Sequence, residues 1–271
     1  MHPTFVRAVC CLTLGLLLSA ALAAAEAPNT PSQENPLAGW SLEHQNFEQA
    51  LASEKRVRIV NAFGNVYART GDDKVEISTV AQRQDGDPYR LLLATRSDGD
   101  SLVVEVVARL DEGQADPDGT RLASQKRRLD LTLFQPAGVP LAIDADDSIE
   151  TKKLRCDVDL VARKGHIFLD TFGHPRARAF DREIRGVLRG TRWNESGEIS
   201  TRSGDIKLFF LDDADLAIEA TTMGALTTDY SLTIERTPGQ RRKKARARIG
   251  QGRAKLILES EAGHIQLLLN V

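Results

Sequence analysis

The sequence predicts an all-β protein: a β-solenoid of stacked strand coils, about 20 residues per coil, preceded by an N-terminal β-hairpin region. Three observations predict it. Apolar and polar residues alternate with period two almost throughout the chain after residue 55. A Gly-x-Ile or Gly-x-Leu triplet recurs, twice within "GEISTRSGDIKLFF" at 197–210. Its glycines are also regularly spaced: Gly165, Gly186, Gly204 and Gly224 open triplets or near matches at intervals of 21, 18 and 20, as expected for one coil per repeat. Gly197 and Gly263 open further triplets, which implies more than one corner per coil. At a corner, glycine accepts positive φ and lets neighbouring backbones approach. The Ile or Leu two places on then faces inward, the intervening residue faces water, and coils stack at about 4.8 Å.

Residues 1–25 read as a signal peptide. Arg7 gives a short positive region, "CCLTLGLLLSAALA" an apolar stretch, and Ala21-Leu22-Ala23 or Ala23-Ala24-Ala25 a small-residue cleavage site. The apolar run is short of the roughly 20 residues of a membrane span, so the expected address is export, to the periplasm or cell surface. Residues 26–54 form a flexible lead-in, opening with three prolines in "EAPNTPSQENPLAGW"; "FEQALASEK" at 47–55 is a modest helix candidate. From 55 to 110 the pattern is of β-strands. "RVRIVNAFGNVYART" and "DDKVEISTVAQ" alternate around the turn "TGDD", and "YRLLLATRSDGDSLVVEVVARL" is a hairpin turning at "SDGD". "DEGQADPDGTRLASQ" at 111–125 interrupts as a loop or boundary. The solenoid domain follows over 126–271, opening with "RRLDLTLFQPAGVPLAID", where Pro136 and Pro140 end one strand and begin the next. The interval from Gly224 to Gly252 is 28 residues, about eight more than one period, and "RRKKARAR" at 241–248 accounts for the surplus as an inserted basic loop.

Bulk composition excludes some functions. In 271 residues, 36 basic and 38 acidic side chains leave a formal charge of -2, so no global field attracts nucleic acid. Aromatic residues are only 5%, too few for a row of stacking platforms. Cys10 and Cys11 lie in the signal peptide, which leaves Cys156 alone, without a disulfide partner. In "LRCDVDL" it alternates with apolar neighbours and reads as a small buried hydrophobe.

The ordered set "VYARTGDDKVEIS", "LTLFQPAGVPLAID", "GEISTRSGDIKLFF", "GALTTDYSLTIE" and "IGQGRAKLILESEAGHIQL" resembles the putative-adhesin family, a domain-of-unknown-function group of exported bacterial β-strand-repeat proteins. The resemblance runs from about Val57 to Val271. It implies a solenoid-like fold in the bacterial envelope and carries over no catalytic residues. The chain departs from the family where another Ser-Gly-Asp-Ile corner is usual: "DDSI" at 146–149 has no glycine.

Residues that could carry chemistry are few. His166 and His264 each occupy the middle of Gly-His-Ile, facing outward, and stacked coils could bring them together; no metal-binding spacing accompanies them or His44 and His174. Asp144, Asp146 and Asp147, and Asp212, Asp213 and Asp215, form two acidic clusters at strand ends, where turn chemistry alone favours Asp. No cofactor or metal motif is present. The candidate binding residues are the basic loop: Arg241, Arg242, Lys243, Lys244, Arg246 and Arg248, a local positive field suited to lipid phosphates, acidic glycans or an acidic partner. The expected function is a non-catalytic envelope protein with an adhesion or interaction surface. A periplasmic signalling or stress-response accessory and a polysaccharide-active enzyme are the alternatives. The closing strand "HIQLLLNV" is expected to be exposed and free to pair with another copy.

Overall fold

A computed structural model describes residues 39–51, 55–110, 126–236, 239 and 241–270. The expected signal peptide with Cys10 and Cys11, the lead-in before residue 39 and the interruption at 111–125 lie outside the described residues. The chain begins with β1 (Trp40–Ala50), β2 (Arg56–Asn61), β3 (Val66–Thr70) and β4 (Lys74–Gln84), then β5 (Tyr89–Asp98) and β6 (Ser101–Leu110). Shorter strands follow: β7 (Arg127–Gln135), β8 (Leu141–Ala145), β9 (Ile149–Lys152), β10 (Val158–Ala162), β11 (Ile167–Thr171), β12 (Pro175–Ala179), β13 (Ile184–Leu188), β14 (Gly197–Thr201) and β15 (Ile206–Phe210). The last are β16 (Leu216–Thr222), β17 (Leu226–Thr228), β18 (Leu232–Arg236), β19 (Lys243–Ile249), β20 (Ala254–Ser260) and β21 (Ile265–Leu269). No α-helix occurs among the described residues.

These strands form two large mixed sheets. Sheet A has the order β1-β4-β7-β3-β9-β11-β13-β15-β21-β17, and sheet B the order β18-β19-β16-β20-β14-β12-β10-β8-β2-β6-β5. From β8 to β17 consecutive strands alternate between the sheets, so each B–A pair makes one layer. Neighbouring layers pair parallel and in register. One row in sheet A runs Leu131, Val66, Ile149, Ile167, Ile184, Ile206, Ile265, Leu226. Its counterpart in sheet B runs Ile59, Ile143, Leu160, Ala177, Ile199, Leu258, Ala220, Ala245. Except for half-buried Leu226, all of these side chains are buried. Burying each Ile or Leu is worth about 1.5–3 kcal/mol, so the alternation that predicts the strands also supplies the force that fixes their register.

The recurring glycines divide into two kinds. Gly165, Gly204, Gly263 and Gly224 align on one edge, each two places before its row residue. A Cβ added at Gly204 would lie 2.0 Å from the carbonyl oxygen of Arg182, and one at Gly263 2.0 Å from that of Gly204. None of the four has positive φ, so close approach alone demands glycine there, a correction to the positive-φ half of the expectation. Gly186 lies within β13 and Gly197 opens β14, both in inward slots rather than at corners.

A buried hydroxyl completes three of these corners, those at Gly204, Gly263 and Gly224. Ser260 donates to Gly204 O (2.9 Å) and accepts from Gly263 N–H (2.9 Å). Thr201 does the same with Arg182 O (3.2 Å) and Gly204 N–H (3.1 Å), and Thr222 with Gly263 O (2.6 Å) and Gly224 N–H (2.9 Å). Each hydroxyl satisfies a turn group that the strand ladder cannot reach.

Three further expectations change and one holds. The helix candidate at 47–55 is strand as far as Ala50: β1, in the expected lead-in, pairs antiparallel with β4 along its full length, with Phe47 opposite Ile77. Period-two burial of Phe47 and its neighbours outweighs the weak helical pattern. "TGDD" joins β3 to β4, but these strands do not pair, because β7 lies between them and matches apolar residues to both. The hairpin at "SDGD" is present: Asp98 pairs with Ser101 around Gly99, whose φ of +60° suits the first central position of a tight hairpin turn. Finally, β21 is not an edge. The layer β20–β21 sits between β14–β15 and β16–β17, leaving β17 and β18 at that end of the two sheets.

Candidate functional site

The basic run is a strand, not a loop. In "KKARARI" Ala245, Ala247 and Ile249 alternate with charged residues, and this places the small apolar set in the core while β19 pairs antiparallel with β16 and β18. The surplus residues are therefore a β18–β19 hairpin. Lys244, Arg246 and Arg248 face solvent as a row. Three of the six basic residues are engaged within the chain: Arg242 with Glu259 (2.7 Å), Arg246 with Glu235 (3.1 Å) and Lys243 with the carbonyl of Gly224 (2.8 Å).

The first acidic cluster is committed to structure, and of the second Asp215 is. Asp144 and Asp146 meet Arg163 at 2.8 and 3.4 Å, Asp146 also meets Lys164 at 2.8 Å, and Asp147 meets Arg128 at 3.1 Å. The hydrogen bond to Asp146 raises the Lys164 pKa. Asp215 accepts the Arg253 backbone N–H at 3.0 Å, and that bond leads the lowering of its pKa. Asp212 and Asp213 are exposed in the turn between β15 and β16.

The histidines do not come together. His166 and His264 occupy the same edge position, but Glu183 and Asp205 of the two intervening layers separate them, by three strand spacings or about 14 Å. His166 lies 3.8 Å from Glu183, and His264 Nδ1 accepts the Ala225 N–H at 2.8 Å. Cys156 is buried, and desolvation, with Asp157 adding to it, pushes its thiol pKa up to about 12, which keeps it protonated and unreactive.

The cleft that does form lies elsewhere, beside the connection from β13 to β14. That connection takes eight residues, 189–196, whereas three, 172–174, suffice between β11 and β12. The longer segment is pinned along its length. Arg189 grips Asp170 through two nitrogens at 2.5 and 3.1 Å, the buried Thr191 hydroxyl accepts the Asp215 N–H at 3.0 Å, and Trp193 donates its indole N–H to Lys255 O at 3.2 Å. The Trp193 ring meets His174 edge to face at 6.1 Å, and His174 Nε2, 2.9 Å from Ser196 O, carries the proton in that contact.

Beneath this segment is a cleft of about 470 Å³, lined among others by Arg56, Asp159, His174, Arg176, Arg192 and Trp193. A second lobe of about 500 Å³ shares Asp157, Phe172, Gly173 and Arg192 with the first and adds Arg155. Arg176 meets Glu195 at 3.4 Å, while the Arg56 and Arg192 guanidinium groups have no ion pair among the described residues. Sequence reasoning passed over this site. Its signals were the interval of 22 residues between Ile184 and Ile206, against 17 between Ile167 and Ile184, and a scarce tryptophan at the middle of the surplus.

No family model and no curated protein matches the chain. Among solved structures, the chain is similar to a putative cell adhesion protein from Clostridium sporogenes, with a TM-score of 0.51 and 9% identity over 85% of this chain and all of that one. It is also aligned with a putative adhesin from Bacteroides fragilis (TM-score 0.28, 9% identity, 83% and 97% of the two chains) and one from Parabacteroides merdae (0.25, 10%, 84% and 97%). The Clostridium match establishes a shared fold with a putative cell adhesion protein, in line with the resemblance drawn from the sequence. Among the described residues no helix is long and apolar enough to cross a membrane.

Proposed function

We propose that the chain is a non-catalytic, exported protein of the bacterial envelope, a β-solenoid whose outer faces serve adhesion or interaction. The in-register rows carry this reading. They commit every inward position to packing and leave the outward positions of each layer as an extended, regularly spaced surface on a stiff support. The shared fold of a protein described as a putative cell adhesion protein supports it, as does the use of Asp144, Asp146, Asp147 and Asp215 in salt bridges and turns rather than in an acid–base pair. The outward row Lys244, Arg246 and Arg248 supplies positive charge for an acidic glycan, a lipid surface or an acidic envelope protein.

The test is binding of the exported chain to envelope fractions across a salt series, beside a variant in which Arg241, Arg242, Lys243, Lys244, Arg246 and Arg248 are Ser. The reading expects salt-sensitive binding that the variant loses. Binding unchanged by salt and by the substitutions contradicts it.

A further inference from the structure

We propose that the cleft beside residues 189–196 binds an acidic sugar chain, one that carries carboxylates spaced along a hydroxyl-rich backbone. The proposal deepens the reading of the outer faces as binding surfaces and rests on it.

The site is built rather than incidental. Five residues more than the preceding layer needs are held by Asp170, by the Asp215 N–H and by Lys255 O, so Trp193 is fixed before any ligand arrives and little ordering remains to oppose binding. A volume of about 470 Å³ falls within the roughly 300–1,000 Å³ of small-ligand clefts, and the adjoining lobe extends it to accommodate more than one sugar ring.

The lining selects the chemistry. Arg56, Arg155, Arg176 and Arg192 come from different elements and are spread over the two lobes. A guanidinium fork matches a carboxylate with two parallel hydrogen bonds, and those of Arg56 and Arg192 are not spent within the described residues. Asp157, Asp159 and Glu195 lie among these four arginines, so the two lobes together are only mildly cationic. A dense anion such as a phosphate would meet these carboxylates with repulsion, whereas sugar hydroxyls can donate to them. Trp193 offers an apolar ring face to the C–H face of a sugar, while the Phe172 ring is already approached by the Arg155 and Arg189 guanidinium groups at 5.9 and 6.0 Å.

Calorimetric titration of the full chain decides the matter, with oligomers of galacturonate, alginate and hyaluronan as probes, the methyl-esterified galacturonate oligomer as the neutral control, and inorganic phosphate as competitor. At least one of the three acidic oligomers binds, esterification of the carboxylates weakens binding tenfold or more, and phosphate does not compete. Arg192→Gln weakens binding tenfold or more with an unchanged melting temperature, and Trp193→Phe retains more affinity than Trp193→Ala. Failure of all three acidic oligomers overturns the proposal, as does equal binding of the ester, displacement by phosphate, or full affinity in Arg192→Gln. If Arg192→Gln loses the oligomer but keeps salt-sensitive envelope binding, the cleft and the β19 face are separate sites. If the oligomer binds and envelope binding is absent, the broader reading fails while the cleft stands.

Discussion

Between β11 and β13 the chain advances one layer in 17 residues, and between β13 and β15 it advances one layer in 22. Both steps deliver an isoleucine to the same buried row and an alternating strand to each sheet, so stacking explains every residue of the shorter step and leaves five of the longer one over. Those five do not dangle. They are tied down by Arg189, Thr191 and Trp193, and they wall a cleft in which Arg56 and Arg192 form no ion pair among the described residues. The comparison teaches where to look in a protein of repeated layers: regular layers are dictated by packing, and an anchored surplus needs another explanation.

The largest effect that would sharpen this contrast belongs to the regular layers. Gly204→Ala places a Cβ 2.0 Å from a backbone carbonyl that cannot yield without moving its layer, so denaturant unfolding should show a loss of about 3 kcal/mol or more. A loss below 1 kcal/mol would mean that the corners are not stacked as described. Next, Ser260→Ala leaves the Gly204 carbonyl and the Gly263 N–H buried without their shared partner. The same assay should give about 1–3 kcal/mol.

A third test uses pH. The Cys156 thiol, ordinarily near 9.0, is raised by burial to about 12 in the folded chain. The folded state therefore holds this proton more tightly than the unfolded state. The stability it contributes is complete below pH 9 and is lost as pH rises from about 9 towards 12, with a slope approaching about 1.4 kcal/mol per pH unit. Comparison with Cys156→Ala isolates that slope, and equal pH profiles would place the thiol in water. The smallest effect is expected in the surplus segment: Arg192→Gln, exposed and without an internal ion pair, should alter stability by no more than about 0.5 kcal/mol. A larger loss would turn the cleft arginine into a structural residue and remove the contrast.

The legible part of the fold was what period two and the glycine interval encode: which segments are strands, which residues face inward, and that corners repeat. Layer order was not legible. Ile206, Ile265 and Leu226 fill equivalent slots, and a slot filled by any of them says nothing about which layer lies beside it, so the insertion of β20–β21 has no local signature. The basic strand was misread because six charges in "RRKKARAR" drew attention from the alternation of Ala245, Ala247 and Ile249 within it. The hydroxyl two or three residues before the corner glycines Gly204, Gly224 and Gly263, as in Thr201 and Gly204 or Ser260 and Gly263, was visible in the sequence, but its meaning depends on a carbonyl in the next layer. The cleft is hidden for a similar reason: Arg56 and Arg192 are 136 positions apart and meet only through stacking.

The layer order itself is open to one direct measurement, disulfide trapping between outward positions of sheet A under mild oxidation. Lys207 lies opposite Gln266, which in turn lies opposite Thr227. The double variant Lys207→Cys with Gln266→Cys should crosslink readily, as Cα atoms one strand apart fall within disulfide reach, and Lys207→Cys with Thr227→Cys should not. A crosslink from 207 to 227 and none to 266 would show layers wound in simple chain order and would contradict the arrangement of rows on which the cleft and the outer faces are built.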